Sequence, residues 1–194
     1  MKSKILFFAF ILFSFSSYSQ SKNTVSAVFG VSGNDVSIHG SIGDFGYKSK
    51  SGTLFGFTYS RNFNSSISLE TGVLVSDNKT EETFIIPGMG RGNAYGTVKM
   101  ITIPVFIKYS FLKYLYLDGG PLIDKQTNYT NNSTLNDQSG IGFELGIGGK
   151  YSFNKFTVFI NPSLREHDVI AFAGKGSSFN LLEAGVKLGL GYNF

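Results

Sequence analysis

The sequence predicts an all-β protein, an eight-stranded antiparallel up-and-down transmembrane β-barrel, and three observations carry the prediction. At the carboxy-terminus, every second residue from Leu182 to Phe194 is apolar (Leu182, Ala184, Val186, Leu188, Leu190, Tyr192, Phe194), while the residues between them are small, charged or Asn. Period two with one apolar and one polar face marks a strand lying between two environments. The connections form the second observation: short links at 62–65, 112–113 and 154 alternate with long polar stretches at 34–51, 78–96, 126–139 and 166–178. Barrels in outer membranes alternate in this way, with short turns on one side and long loops on the other. The third observation is a crowd of aromatics beside the short links and the terminus: Phe63, Tyr109, Phe111, Tyr114, Tyr151, Phe153, Tyr192 and Phe194. Amphipathic rings gather at membrane interfaces.

Taken in order, the first strand is expected near 24–33, where Val25, Ala27, Phe29 and Val31 form the apolar row. The second, near 52–63, carries Phe55, Phe57 and Tyr59; the third, near 66–77, carries Ile67, Leu69, Val73 and Val75. The fourth, near 97–111, presents Ile101, Ile103, Val105 and Ile107, and the fifth, near 114–125, presents Leu115, Leu117 and Ile123. The sixth, near 140–153, has Ile141, Phe143, Leu145 and Ile147, and the seventh, near 155–165, has Phe156, Val158 and Ile160. The eighth is the terminal strand near 179–194. Tilted strands of roughly ten residues are long enough to cross a bilayer.

Ahead of these strands, Met1-Lys2-Ser3-Lys4 is followed by an apolar run from Ile5 to Phe15 and then by Ser16, Ser17, Tyr18 and Ser19. A basic start, a short apolar centre and small residues describe an export signal. We place it at 1–19, with cleavage after Ser19 or Gln20 and the barrel domain at 20–194. The apolar run falls short of the roughly 20 residues that a spanning helix needs.

Without Lys2 and Lys4 the basic residues number 15 against 13 acidic, so the sequence gives no ground for a nucleic-acid partner. There is no cysteine, hence no disulfide or thiolate chemistry. The absence of Trp beside 20 Phe, 10 Tyr and 24 Gly is a β-rich balance.

The polar faces carry Glu70, Lys108, Asp118, Glu144, Lys150, Arg165, Glu183 and Lys187, four acids and four bases. Counted up from the short links, Glu70, Lys108, Asp118 and Lys150 fall at one depth on successive strands, with alternating sign. Glu144, Arg165, Lys187 and Glu183 repeat the pattern higher up. Opposite charges on neighbouring strands attract, and the bore of an eight-stranded barrel is narrow enough for side chains to fill. The expected result is a plug of ion pairs; the alternative is that several of these residues face water near the rims.

The stretches Ser66–Val75 (Ser-Ile-Ser-Leu-Glu-Thr-Gly-Val-Leu-Val), Ile103-Pro104-Val105-Phe106-Ile107-Lys108-Tyr109, Leu115-Tyr116-Leu117-Asp118-Gly119-Gly120-Pro121 and the closing Gly-Leu-Gly-Tyr-Asn-Phe carry a resemblance. Over most of the mature length the chain resembles the PorT-like outer-membrane β-barrel proteins of Bacteroidetes-type bacteria. Asp118 stands where that family more usually has Glu. The resemblance implies the fold, an outer-membrane location and an assembly signal at Tyr192 and Phe194, with membrane lipid and the barrel-assembly machinery as partners. It implies no particular activity.

Catalytic motifs are sparse. His39 and His167, the two histidines, both fall in expected loops. Arg165-Glu166-His167-Asp168 sets an acid beside a histidine, but no motif supplies a nucleophile. No metal-ligand spacing is present, and no cofactor is expected. Gly146-Ile147-Gly148-Gly149-Lys150 lacks the helix that a phosphate loop requires, and its glycines are expected to make room for bulky neighbours in the lumen. The segment from Thr83 to Gly92 is expected to continue its strand beyond the membrane and pair with 94–98; the alternative is a contact surface for another envelope protein. The expected function is a non-enzymatic barrel with a structural or adaptor role through its outer loops. A narrow pore for small solutes is one alternative. A secreted lipocalin-like carrier, with the apolar rows inside, is another.

Overall fold

The computed structural model describes residues 23–38, 46–48, 50–86, 90–128, 137–172 and 179–194. The export signal at 1–19 and His39 lie outside them. Nine strands occur among the described residues: β1 (Asn23–Ile38), β2 (Gly46–Lys48), β3 (Lys50–Asn62), β4 (Ile67–Ile86), β5 (Gly90–Ser110), β6 (Leu115–Gln126), β7 (Gly140–Phe153), β8 (Phe156–Ala171) and β9 (Phe179–Asn193). β2 is a three-residue piece that pairs with β4 above the point where β3 leaves it. The other eight strands each pair antiparallel with their neighbours in sequence, and β1 pairs with β9 to close the barrel. At the seam Phe194 and Asn23 exchange backbone hydrogen bonds of 2.9 and 3.2 Å, so the last residue is clasped to the first strand.

The expected apolar rows all face outward. Phe29, Phe57, Val73, Ile107, Leu145, Ile160 and Leu188 are each about half exposed or more. A lipocalin would turn these rows inward, so the facing of the side chains excludes that alternative. In the outward rows, apolar residues give way to charge at Asp35, Asp77, Lys99, Lys125 and Glu166, and Asp77 pairs with Lys99 at 3.6 Å. About ten residues separate this edge from the turns, which at ~3.3 Å per residue and a tilt near 40° spans on the order of 25 Å. Around the turn end the rings form a chain, Tyr114–Tyr151–Phe153–Phe156–Tyr192–Phe194, with successive centroids 5.6–6.5 Å apart.

The strands run further than their apolar rows. β4 and β5 pair from Ile67↔Tyr109 to Ile86↔Gly90, so much of the expected long connection at 78–96 is a two-stranded ribbon standing above the charged edge. Thr83–Ile86 pair with Gly90–Asn93, and residues 94–98 pair with 82–78, a different register from the one expected. β8 likewise continues through part of the stretch expected as a loop, to Ala171.

The Ile103-Pro104 and Gly119-Gly120-Pro121 motifs meet across one interface. The β5–β6 ladder omits rungs at Val105 and Phe106, between Pro104↔Leu122 and Ile107↔Gly119. Gly120 has a φ of 155°, and a Cβ there would stand 2.2 Å from the Val105 carbonyl oxygen. Only glycine fits so close an approach of two backbones.

Candidate functional site: the filled lumen

The inward rows fill the bore with side chains of two kinds. On the β1–β3–β4 wall, Val28, Leu54 and Leu74 pack together with Phe159 against them. On the facing wall the charges collect. Glu144 of β7 accepts from Arg165 Nε of β8 at 2.5 Å and also bonds Lys187 of β9. Arg165 Nη1 lies 3.6 Å from Glu183, and the side chains of Glu144, Arg165, Glu183 and Lys187 are each at most 7% exposed. Glu144↔Arg165 and Arg165↔Glu183 are direct cross-strand partners, which explains that row. Lys187 reaches Glu144 past Ser163 and Gly146, and its ammonium lies 5.1 Å from the ring centre of Phe106.

The lower row is not a ring of four. Lys108 donates to Glu70 at 2.5 Å, although its direct cross-strand partners are Ser68 and Asp118. Asp118 instead accepts from Asn161 Nδ2 at 2.9 Å, and Lys150 donates to Ser110 Oγ at 2.6 Å. Counting residues up from the turns misplaces Lys150. Asp118 stands opposite Gly146 on β7, four residues above Lys150, because strands in a tilted barrel are staggered against one another. Two glycines make the inward packing possible. A Cβ at Gly146 would lie 2.4 Å from the Asp118 carboxylate, and one at Gly148 would lie 2.1 Å from Tyr116 Cζ, since the phenol end of that ring sits against Gly148.

At the upper end a group appears that the sequence placed in a loop. His167 is 1% exposed, with Nδ1 at 2.8 Å from Asp124 and Nε2 at 3.1 Å from Glu183. Carboxylates only accept, so two donating ring nitrogens make this residue an imidazolium bridging β6 and β9. Glu183 also accepts from Asn78 Nδ2 at 2.6 Å, and Asp124 from Thr102 Oγ1 at 2.6 Å. His167 continues the inward row of Asn161, Ser163 and Arg165, and the alternation fails one residue later: β8 bulges, its register against β7 shifts between Ile141 and Phe143, and Asp168 has a φ of 54°. Asp168 therefore turns inward beside His167. Of the run Arg165-Glu166-His167-Asp168, only Glu166 keeps to the outer face. With both ring nitrogens on carboxylates, His167 has no free nitrogen to activate a hydroxyl. Asp124 was legible from parity, since it shares the inward face with Tyr116, Asp118 and Leu122. His167 shares the inward face of β8 with Asn161, Ser163 and Arg165, and only the early end expected for that strand, at 165, put it in a loop.

A closed antiparallel barrel, apolar outside and filled inside by charged and polar side chains, is a transmembrane outer-membrane barrel. The chain belongs to the outer membrane protein beta-barrel domain family, whose model matches residues 5–194. No curated protein matches it in sequence. Among solved structures it is similar to the outer membrane protein OprG from Pseudomonas aeruginosa, with 14% identity and a TM-score of 0.52 over 90% of this chain and 97% of that one. It is also similar to AlkL in DMPC bilayers, with 18% identity and a TM-score of 0.49 over 92% of this chain and 93% of that one. At 14% identity the likeness to OprG shows the fold alone.

Proposed function

We propose that the protein is a plugged, non-enzymatic outer-membrane barrel with a structural or adaptor role exerted through its outer end. The observation that carries this reading is the cross-bore network of Glu144, Arg165, Lys187, Glu183, His167 and Asp124, which stands where a conduit would run. The ribbon of β4 and β5 above the charged edge supports a role at that end, with another envelope protein as the partner. Export by the leader at 1–19 and assembly through Tyr192 and Phe194 complete the proposal, the latter supported by the clasp between Phe194 and Asn23. The strand motifs favour the PorT-like branch of the family. Bilayer lipid contacts the outward rows in this reading.

Reconstitution in planar bilayers tests it. The wild type should give no stable current, and replacing 80–96 by a tight turn should leave a barrel whose gel mobility still shifts on boiling. Stable, sizeable single-channel currents from the wild type would make the pore reading the better one.

A further inference from the structure

The turn end of the lumen is not filled. A cavity of about 250 Å³ opens there, lined by the hydroxyls of Ser26, Ser60, Ser68, Ser152 and Thr157 and floored by Tyr116 and Phe159. Three charged groups border it, Glu70, Lys108 and Lys150. The Lys108 ammonium is committed: it bonds Glu70 at 2.5 Å and lies 5.0 and 5.1 Å from the ring centres of Tyr116 and Phe159. Glu70 is thereby answered. The Lys150 ammonium donates to Ser110 Oγ at 2.6 Å and lies 6.0 Å from the Tyr116 ring centre, and no carboxylate among the described residues pairs with it. The cavity therefore holds one uncompensated positive charge, and an ammonium has three protons to donate.

We propose that this vestibule binds a compact oxyanion, a phosphate or carboxylate group, with Lys150 as the anchoring cation. Hydroxyls can donate to each oxygen of such a group in turn, and low-dielectric walls strengthen the attraction of a single charge. At about 30 Å³ per water the space holds on the order of eight waters, enough for one phosphate or carboxylate and part of its hydration. The group is either a free ion or the charged end of a larger molecule whose remainder extends out past the turns. That the vestibule faces the periplasm rests on the proposed topology; the binding itself does not, because both ends are accessible in micelles.

The test is a titration of the purified barrel, folded by its gel shift, in neutral detergent at constant ionic strength set by chloride. Amide NMR shifts are followed against inorganic phosphate, acetate and glycerol 3-phosphate. Saturable shifts should centre on Ser110 and Gly149–Lys150 and leave the neighbourhood of His167 unmoved. Lys150→Met should weaken binding by about tenfold, the loss of one charge-assisted hydrogen bond, and Lys150→Arg should restore most of it. Phosphate alone saturating would assign a free ion, and tighter binding of glycerol 3-phosphate would assign the end of a larger molecule. If Lys150→Met does not fold, Lys150→Gln replaces it. Absence of saturable shifts in the wild type, equal affinity in the Lys150 variant, or shifts centred on the outer end would overturn the proposal. A conducting wild type would overturn the plug and leave this result standing.

Discussion

Lys187 and Lys150 face the same lumen and meet opposite fates. Lys187 sits in the tightly filled upper half, its side chain 7% exposed and bonded to Glu144. Lys150 sits at the turn end beside a cavity of about 250 Å³, and its hydrogen-bond partner is the hydroxyl of Ser110. The difference follows from stagger and side-chain size. β7, β8 and β9 bring Glu144, Arg165 and Glu183 into one row, and the small residues Gly146 and Ser163 let Lys187 cross to it. Around Lys150 the wall is built of serine and threonine, whose side chains are too short to meet in the middle. A buried charge must be paired or it is very costly, whereas a charge beside water is solvated whether paired or not. The two halves of one bore thus obey different electrostatics.

The sharpest way to break that comparison is at Glu144, which serves two cations at once. Glu144→Gln leaves Lys187 buried without its ion-pair partner and Arg165 with Glu183 alone. Removing one partner of a buried pair costs about 3–5 kcal/mol, and this site should lie in that range. Urea unfolding of the reconstituted barrel, followed by gel mobility, measures it. The double change Glu144→Leu with Lys187→Met should recover much of the loss, because it removes one acid with one base and leaves Arg165 on Glu183. A Glu144→Gln barrel as stable as the wild type would mean that water reaches the upper lumen.

Leu188 is the next residue along from Lys187 and points the other way, 52% exposed on the outward face. Leu188→Arg should cost about 2–4 kcal/mol if it lies near the bilayer midplane. A positive charge is therefore held at 187 and rejected at 188, one residue apart. The same substitution at Asn193, beside the aromatic chain at the turn end, should cost far less. Equal tolerance at the two positions would contradict the facing assigned to β9.

How much of this was legible in the sequence depends on how regularly each strand alternates. The eight strands, the outward rows, the aromatic ring beside the turns and the inward placing of all eight predicted charges followed from period two. Which charges met which did not. Parity says only that Asp118 and Lys150 share a face, while the stagger that sets them four rungs apart belongs to the closed barrel. The upper end of β8 was missed for a different reason: the strand was expected to end at 165, so His167, which keeps the inward parity, and Asp168, which one irregular step turns inward beside it, were both read as loop. The ribbon of β4 and β5 was legible as a strand continuing through Thr83–Gly92, but its register against 94–98 was not, because period two fixes which residues share a face and not which rungs they meet.

Lys108 is intermediate between the two lysines compared above. Its bond to Glu70 is 2.5 Å, but the pair borders the cavity, with side-chain exposures of 13% and 6%. Lys108→Met should cost about 1–3 kcal/mol, the loss associated with a polar partner left short of its hydrogen bond rather than with a dry ion. Adding Glu70→Leu should restore part of it, whereas adding Asp118→Leu should not, because Asp118 is held by Asn161. A double-mutant cycle on the unfolding midpoint distinguishes the two, and coupling to Asp118 larger than to Glu70 would show that the pairing lies along the direct rung instead of the diagonal.

The smallest effect should come from Lys150. Lys150→Met removes one hydrogen bond, to a serine hydroxyl that water in the vestibule can satisfy, and it leaves no carboxylate without a partner. It also ends the crowding of two ammoniums around the Tyr116 ring, which both approach within 6.0 Å of its centre. The net change should be under about 1 kcal/mol and could carry either sign, since a lost neutral hydrogen bond contributes about as much as a relieved like-charge contact at a solvated site. Its dependence on salt separates the two terms: screening weakens the repulsion between the two lysines, so the gap between wild type and variant should shift toward the wild type as ionic strength rises. Unfolding midpoints at low and high sodium chloride measure that shift. A loss near 3 kcal/mol that salt does not move would place Lys150 in the same buried environment as Lys187, and the division of the lumen into two halves would fail with it.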